Sequence, residues 1–341
     1  MHTRRTLPLP LPVPLIPWLL CAAACGPASS LDETTATESQ ATPLLGAPED
    51  HEHRYDVGVC RQAPNQDPAL GEIGACLGRR PTTGTLVAPN LVLLGRGTVD
   101  RATFPAGQPF CNGTFTRTPP AVLKVTLSDS AIRGNPVWLD VDQVIYPPTD
   151  RFCDDGLALL VLHDNVPARA ARPVDIDVGR DVAVHPPRAY ALLGRGSVAL
   201  HVDPITFAIT EDTGGFTRRI LKNVPFVCAS NTDEACSIVD ITSDLPNDLF
   251  KMPKSLMLIG AGLSLGDGSF IDQSSFEHGR PKIVAVGTFI PIGENGDPNG
   301  SIGVRTSLHR DFLVQSARTA AQKGHYAVPR WARDCDGDEN E

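Results

Sequence analysis

From Tyr55 onward, short apolar runs recur between clusters of Gly, Pro, Asn and Asp. Thr85-Leu86-Val87 and Leu91-Val92-Leu93-Leu94 flank Ala88-Pro89-Asn90, a pattern that predicts two strands joined by a tight turn. Leu157 to Leu162 is apolar at every position and bounded by turn residues, which predicts a strand buried on both faces. Ala189 to Leu193, Ser197 to Val202, Val224 to Cys228, Ser255 to Ile259 and Lys282 to Ile290 read as further strands. The one helical period is terminal: Phe312, Leu313, Ala317, Ala320 and Ala321 fall on one face. Ser307 as a cap, Asp311 in the first turn and Gly324 past the end predict a helix over 308–323. No long internal repeat interrupts this order. Many short strands followed by one helix predict an all-β barrel or sandwich closed by a helix.

Composition agrees with that reading. Gly 30 and Pro 31 in 341 residues, with aromatics at only 6%, supply many turns and few long helices. A hydrophobic content of 41% suffices for one two-part domain or two small ones. The formal net charge of -9 offers no electrostatic footing for nucleic acid.

The chain opens on a different pattern. Arg4 and Arg5 precede an apolar stretch from Leu7 to Ala24, broken by prolines and too kinked for a membrane span. It ends in Ala22-Ala23-Ala24-Cys25-Gly26, small residues before a cysteine, and so resembles a bacterial lipoprotein processing site. Residues 1–25 are read as a signal segment with Cys25 as the lipid-bearing residue. Plain signal cleavage after Ala24 or Ala28 is the other reading. Residues 26–55, rich in Ser, Thr, Ala, Pro and Glu, read as a flexible tether. The expected location is outside the cytoplasm: lipid-anchored on the cell envelope, at the outer membrane or periplasm, or secreted.

Nine cysteines bear on the same point. None forms a Cys-x-x-Cys pair, so a zinc site is not supported, and the spread points to disulfides in an oxidising compartment. The 324–341 tail carries Asp334, Asp336, Asp338, Glu339 and Glu341. It is too short for a calcium loop of the EF-hand type and reads as a solvated acidic end. No cofactor or metal site is expected.

Four segments, in order, resemble the chymotrypsin/trypsin family of serine proteases. Thr83-Gly84-Thr85-Leu86-Val87-Ala88-Pro89-Asn90-Leu91-Val92-Leu93 is similar to the family's Ser-Gly-Thr-Leu-Ile-Ala-Pro segment. It continues Leu94-Gly95-Arg96-Gly97-Thr98, with Gly97 where the catalytic histidine belongs and Thr82 and Thr98 where a cysteine pair belongs. Cys153-Asp154-Asp155-Gly156-Leu157-Ala158-Leu159-Leu160 resembles the aspartate segment, with Gly156 at the aspartate position and Asp155 one residue away. Gly260 to Asp272 stands at the nucleophile loop; counting back from Ile271-Asp272 puts Gly266 at the serine position, and anchoring on Gly260 puts Gly262 there. Gly279 to Gly287 resembles the strand that follows, and Gly303-Val304-Arg305-Thr306 resembles the family's Gly-Val-Tyr-Thr before the terminal helix.

The resemblance covers about residues 56–322. It implies two packed antiparallel six-stranded β-barrels, the first about 56–170 and the second about 171–307, with the helix after them. It also implies the disulfides Cys60–Cys76, Cys111–Cys153 and Cys228–Cys236, with Cys335 left over. The pocket that would select basic substrates needs an acidic residue, and Gly260 or Leu256 stands there instead.

The chemistry of the losses follows from the side chains. Acyl transfer needs a hydroxyl, an imidazole to take its proton and a carboxylate to orient the imidazole. Glycine supplies none of these, and losing such groups costs on the order of 10⁴ to 10⁶ in turnover. The implied function is a non-catalytic protease homologue that binds an unspecified protein or peptide. One alternative is an active endopeptidase with a shifted triad drawn from Asp155, Ser264, Ser269 and His163. Another is a hydrolase using Ser264 in Gly262-Leu263-Ser264-Leu265-Gly266, a Gly-x-Ser-x-Gly match followed by turn residues rather than a helix.

Overall fold

The structure, a computed structural model, describes residues 47–61, 82–103, 113–131, 135–151, 156–195, 199–202, 209–213, 217–229, 256–259, 268–289 and 301–333. The first eight strands are β1 (Asp56–Arg61), β2 (Thr82–Ala88), β3 (Leu91–Gly95), β4 (Arg101–Thr103), β5 (Thr114–Thr116), β6 (Leu123–Thr126), β7 (Trp138–Ile145) and β8 (Leu157–Leu162). Six of them close into an antiparallel barrel in the order β1-β2-β3-β8-β7-β6, while β4 and β5 form a separate hairpin. The apolar run predicted to be buried on both faces is β8. Its six residues are 0% exposed, because it lies between β3 and β7 and its outer face meets the rest of the molecule. Strand β7, by contrast, buries only Val141 fully and shows several side chains to solvent.

The second half contributes β9 (Asp175–Ile176), β10 (Tyr190–Gly194), β11 (Ala199–Val202), β12 (Ile209–Thr213), β13 (Arg219–Val224), β14 (Phe226–Ala229), β15 (Leu256–Ile259), β16 (Ser269–Asp272), the short helix α1 (Gln273–Glu277), β17 (Lys282–Phe289) and β18 (Ser301–Arg305). One sheet runs β13-β10-β16-β17-β18-β15-β14, with β9 added in parallel beside β17; β11 and β12 pair apart. Its two end strands, β13 and β14, are consecutive in the chain and separated only by Pro225. The chain at Pro225 thus links the two edge strands, and with that pair counted once six strands make up this second, barrel-like sheet. The break between them has local causes: Asn223 sits in the left-handed region with φ 59°, and Pro225 cannot donate to a ladder. The run predicted as one strand over 224–228 is therefore broken at Pro225.

One apolar cluster spans both halves, in which Leu93 and Leu159 belong with Ile271, Ile283, Val286 and Ile302, and a second, including Tyr190, Leu192, Phe270 and Val284, lies within the second half. Close packing leaves no slack in places. A Cβ on Gly303 would lie 2.4 and 2.8 Å from ring atoms of the fully buried Phe270. Gly303→Ala is expected to destabilise the fold by about 1–3 kcal/mol through overpacking, read as a lower urea midpoint.

The terminal helix α2 (Arg310–Gly324) forms with Leu313, Ala317, Ala320 and Ala321 buried, but it takes in Gly324, and His325, in the left-handed region with φ 54°, ends it. Ser307 is not its cap. Residues Ser307–His309 make a 3-10 turn that leads into the helix, with His309 at the cap position. The helix seals the β2–β3 turn: Asn90 donates to the Ala320 carbonyl at 3.4 Å and accepts from the Tyr326 hydroxyl at 2.7 Å.

Two segments assigned outside the domain pack onto it. A further helical turn, α3 (Arg330–Arg333), lies in what was read as a solvated tail; Trp331 is buried there and its indole donates to the Val87 carbonyl at 3.0 Å. At the other end, Ala47 and Asp50 are buried, and Glu49 bridges to Arg219 in antiparallel fashion. The tether expectation does not hold for residues 47–50, because one isolated bridge at Glu49 leaves no period to detect.

Candidate site at the barrel junction

Gly97 and Gly156 lie side by side. Gly97 belongs to a 3-10 turn, Arg96–Thr98, at the end of β3. Gly156 precedes β8, and the β3–β8 register sets Gly95 opposite Leu157. The Arg96 amide donates to the Gly156 carbonyl at 2.7 Å. Gly97 is exposed and Gly156 buried. The two positions where the resemblance expects histidine and aspartate are thus adjacent, and both are backbone only. Gly266, Gly262, Gly260, Asp155 and Ser264 fall outside the described residues.

The third strand of the junction is β16. Just before it, Gly268 takes φ 122°, a conformation side chains rarely adopt, and its carbonyl accepts from the Gly287 amide at 2.9 Å. Ser269 follows, 1% exposed, with its hydroxyl hydrogen-bonded to that of Thr85. That bond ties the second barrel to the first and occupies the hydroxyl. His163 is elsewhere. It stands past the far end of β8 from Gly156, roughly 20 Å along an extended strand. It is exposed, its Nδ1 lies 3.0 Å from Asp142, and that carboxylate raises its pKa. The structure does not bring His163 and Ser269 together.

What fills the turn is arginine. Arg96 is fully buried, directly before Gly97. Its Nε donates to Asp100 at 2.8 Å, one terminal nitrogen donates to the Thr149 carbonyl at 3.0 Å, and the other pairs with Asp150. Its guanidinium carbon lies 4.6 Å from the ring centroids of both Phe115 and Tyr146. Asp100 also accepts from the Thr118 amide at 2.9 Å and the Tyr146 hydroxyl at 3.0 Å. Burial and the Asp100 charge push the Tyr146 phenol up; hydrogen bonds from Arg96 and Arg117 hold Asp150 down. Both carboxylates around this turn are committed to arginine.

A second arginine centre joins the barrels. Arg195 follows β10 and Arg218 precedes β13, and both side chains are 0% exposed. Arg195 Nε donates to Asp56 Oδ1 at 2.8 Å and another nitrogen donates to the Ser128 carbonyl at 2.7 Å. Arg218 lies 3.4 Å from Asp56 and 3.1 Å from Asp129. Sequence reasoning missed these residues. A signal existed: Leu93-Leu94-Gly95-Arg96-Gly97 recurs as Leu192-Leu193-Gly194-Arg195-Gly196, an arginine between glycines after an apolar strand in each barrel.

Of the predicted disulfides, Cys60 is buried on β1 and disulfide-bonded. Its expected partner Cys76 lies outside the described residues, as do Cys25, Cys111, Cys153, Cys236 and Cys335. Among the described residues no group of three or more His, Cys, Asp or Glu is placed to hold a metal ion. No described helix is long and apolar enough to cross a membrane.

No protein-family model matches the chain, and no curated protein matches it in sequence. Solved structures do match in shape. One is an inactivated protease paralogue of the scabies mite, S-D1, 10% identical, at a TM-score of 0.52 over 82% of this chain and 98% of that one. At that identity the likeness concerns the fold: a closed six-stranded antiparallel barrel, a second antiparallel sheet and a C-terminal helix match the trypsin-like fold.

Proposed function

We propose that this chain is a non-catalytic trypsin-like homologue that serves as a binding or scaffold module outside the cytoplasm. The carrying observation is the pair Gly97 and Gly156, adjacent at the barrel junction and without any group to move a proton. The neighbour's description as an inactivated paralogue supports the reading, since it shows that this scaffold exists without the chemistry. The partner is an extended peptide or a protein surface, because loops on a rigid double barrel present binding residues at little ordering cost. Acylated Cys25 would hold the module to a membrane through the Ser/Thr/Pro-rich segment that follows it.

Purified protein is expected to leave casein and peptide substrates uncut and to take no label from a fluorophosphonate probe. Robust hydrolysis that the probe abolishes would refute the proposal; labelling of Ser264 would instead favour the hydrolase reading.

A further inference from the structure

Apart from the glycine pair, the molecule carries a basic cleft whose walls are three ordered turns. The first runs from Glu52 to Tyr55, ahead of β1, and is closed by the Arg54 amide on the Glu52 carbonyl at 2.9 Å. The second, Pro167 to Ala171, follows β8 and is closed by the Ala170 and Ala171 amides on the Pro167 carbonyl at 2.8 and 3.2 Å. The third leaves α1, with the Gly279 amide on Phe276 at 3.1 Å and the Arg280 amide on Ser275 at 3.0 Å. Asp272 caps α1 through the Ser275 amide at 3.0 Å and is held in turn by Arg180. The cleft they enclose measures about 480 Å³. That is within the usual range for small-molecule sites.

Its lining combines Arg54, Arg169 and Arg172 with the rings of His53, Tyr55 and Phe276, and with one carboxylate, Glu52. The rings form a continuous shelf: His53 is 4.7 Å from Phe276 and 5.6 Å from Tyr55, centroid to centroid. Lys222 adds a further cation, 5.1 Å from the Phe276 centroid. Among the described residues, Arg54, Arg169 and Arg172 form no ion pair, whereas Arg96, Arg195, Arg218 and Arg305 each face a carboxylate. Three exposed guanidiniums against the single carboxylate of Glu52 leave the cleft net cationic on a chain of net charge -9. Like charges brought together repel, and a bound anion relieves that repulsion. Guanidinium forks suit phosphate oxygens, and the ring shelf suits a flat or apolar group attached to the phosphate.

We infer that this cleft binds an organic phosphate, a phosphoryl group carried on a flat or apolar moiety. The phosphate sits among Arg54, Arg169 and Arg172, and the moiety lies on the His53–Phe276 shelf. The source is a free phosphate ester or the headgroup of an anionic lipid. The inference does not rest on catalytic inertness, so turnover measurements leave it unaffected.

The test uses the full chain with Cys25→Ser, so that no acyl group enters the measurement. Phenyl phosphate and inorganic phosphate are titrated calorimetrically, and sedimentation with phosphatidylglycerol or phosphatidylcholine vesicles is measured alongside. Saturable binding of phenyl phosphate, tighter than inorganic phosphate, is expected. It should weaken about tenfold or more in Arg169→Glu/Arg172→Glu and on raising NaCl from about 0.05 M to about 0.5 M. Phe276→Ala should erase the preference for the phenyl ester. Binding of phenyl phosphate identifies a free ester as the ligand; selective sedimentation with phosphatidylglycerol, lost in the double variant, identifies a headgroup. Both variants must keep the parental urea midpoint. With folding intact, the absence of both kinds of binding, or binding untouched by the charge reversal, would overturn the inference.

Discussion

Asp56→Ala is expected to destabilise the protein by about 3–5 kcal/mol. The reason is where the carboxylate stands. Asp56 is fully buried at the start of β1, and Arg195 and Arg218, each 0% exposed, reach it from the second barrel. Removing it leaves Arg195 with backbone carbonyls of Ser128, Asp129 and Asp56 but no counter-charge. A buried guanidinium without a counter-charge is far costlier than the pair was favourable. Arg218 keeps Asp129 at 3.1 Å, so the loss falls mainly on Arg195. Asp56→Asn should cost less than Asp56→Ala, because an amide oxygen still accepts from Arg195 Nε. Urea unfolding measures both. Hydrogen exchange should show lost protection on β1 and on β10 together, since the network spans the barrels. A cost below about 1 kcal/mol would mean that water reaches these charges and that the barrels are held by apolar contact alone.

The fold was legible where burial writes itself into the pattern. Leu157 to Leu162 announced a strand covered on both faces, and Phe312 to Ala321 announced a helix, because single-period apolar runs have few other homes. Asn223 and Pro225 were less readable. A run that links the two edges of one sheet looks like one strand or two, and only the pairing of β13 with β10 and of β14 with β15 settles it. Trp331 was lost in an acidic context: one buried ring carries no period. Of the candidate site, Gly97 and Gly156 came from ordered resemblance, and the β3–β8 register makes them neighbours. Ser269 looked available in sequence because a hydroxyl's partner across 184 residues leaves no local trace. The buried arginines were hidden for the opposite reason. Charged residues are ordinarily solvated, so an arginine in a turn reads as surface unless its partners are known.

Arg96→Ala is the complementary test, expected to cost about 3–5 kcal/mol by urea unfolding. The guanidinium lies between Phe115 and Tyr146 and serves Asp100, Asp150 and the Thr149 carbonyl at once. Alanine would leave Asp100 buried with only the Thr118 amide and the Tyr146 hydroxyl. It would also open a void between two rings. Arg96→Lys should recover part of the loss but not all of it, because an ammonium cannot fork to two carboxylates or stack flat on a ring. Asp150, partly exposed and also served by Arg117 at 3.0 Å, can be replaced at much smaller cost. The ranking of Ala, Lys and the Asp150 variant separates buried pairing from surface pairing. It also bears on the site: the turn that presents Gly97 is fixed by arginine, aromatic rings and backbone, none of which depends on an imidazole or a catalytic carboxylate. A turn secured in that way holds its shape through contacts that lie outside any catalytic group.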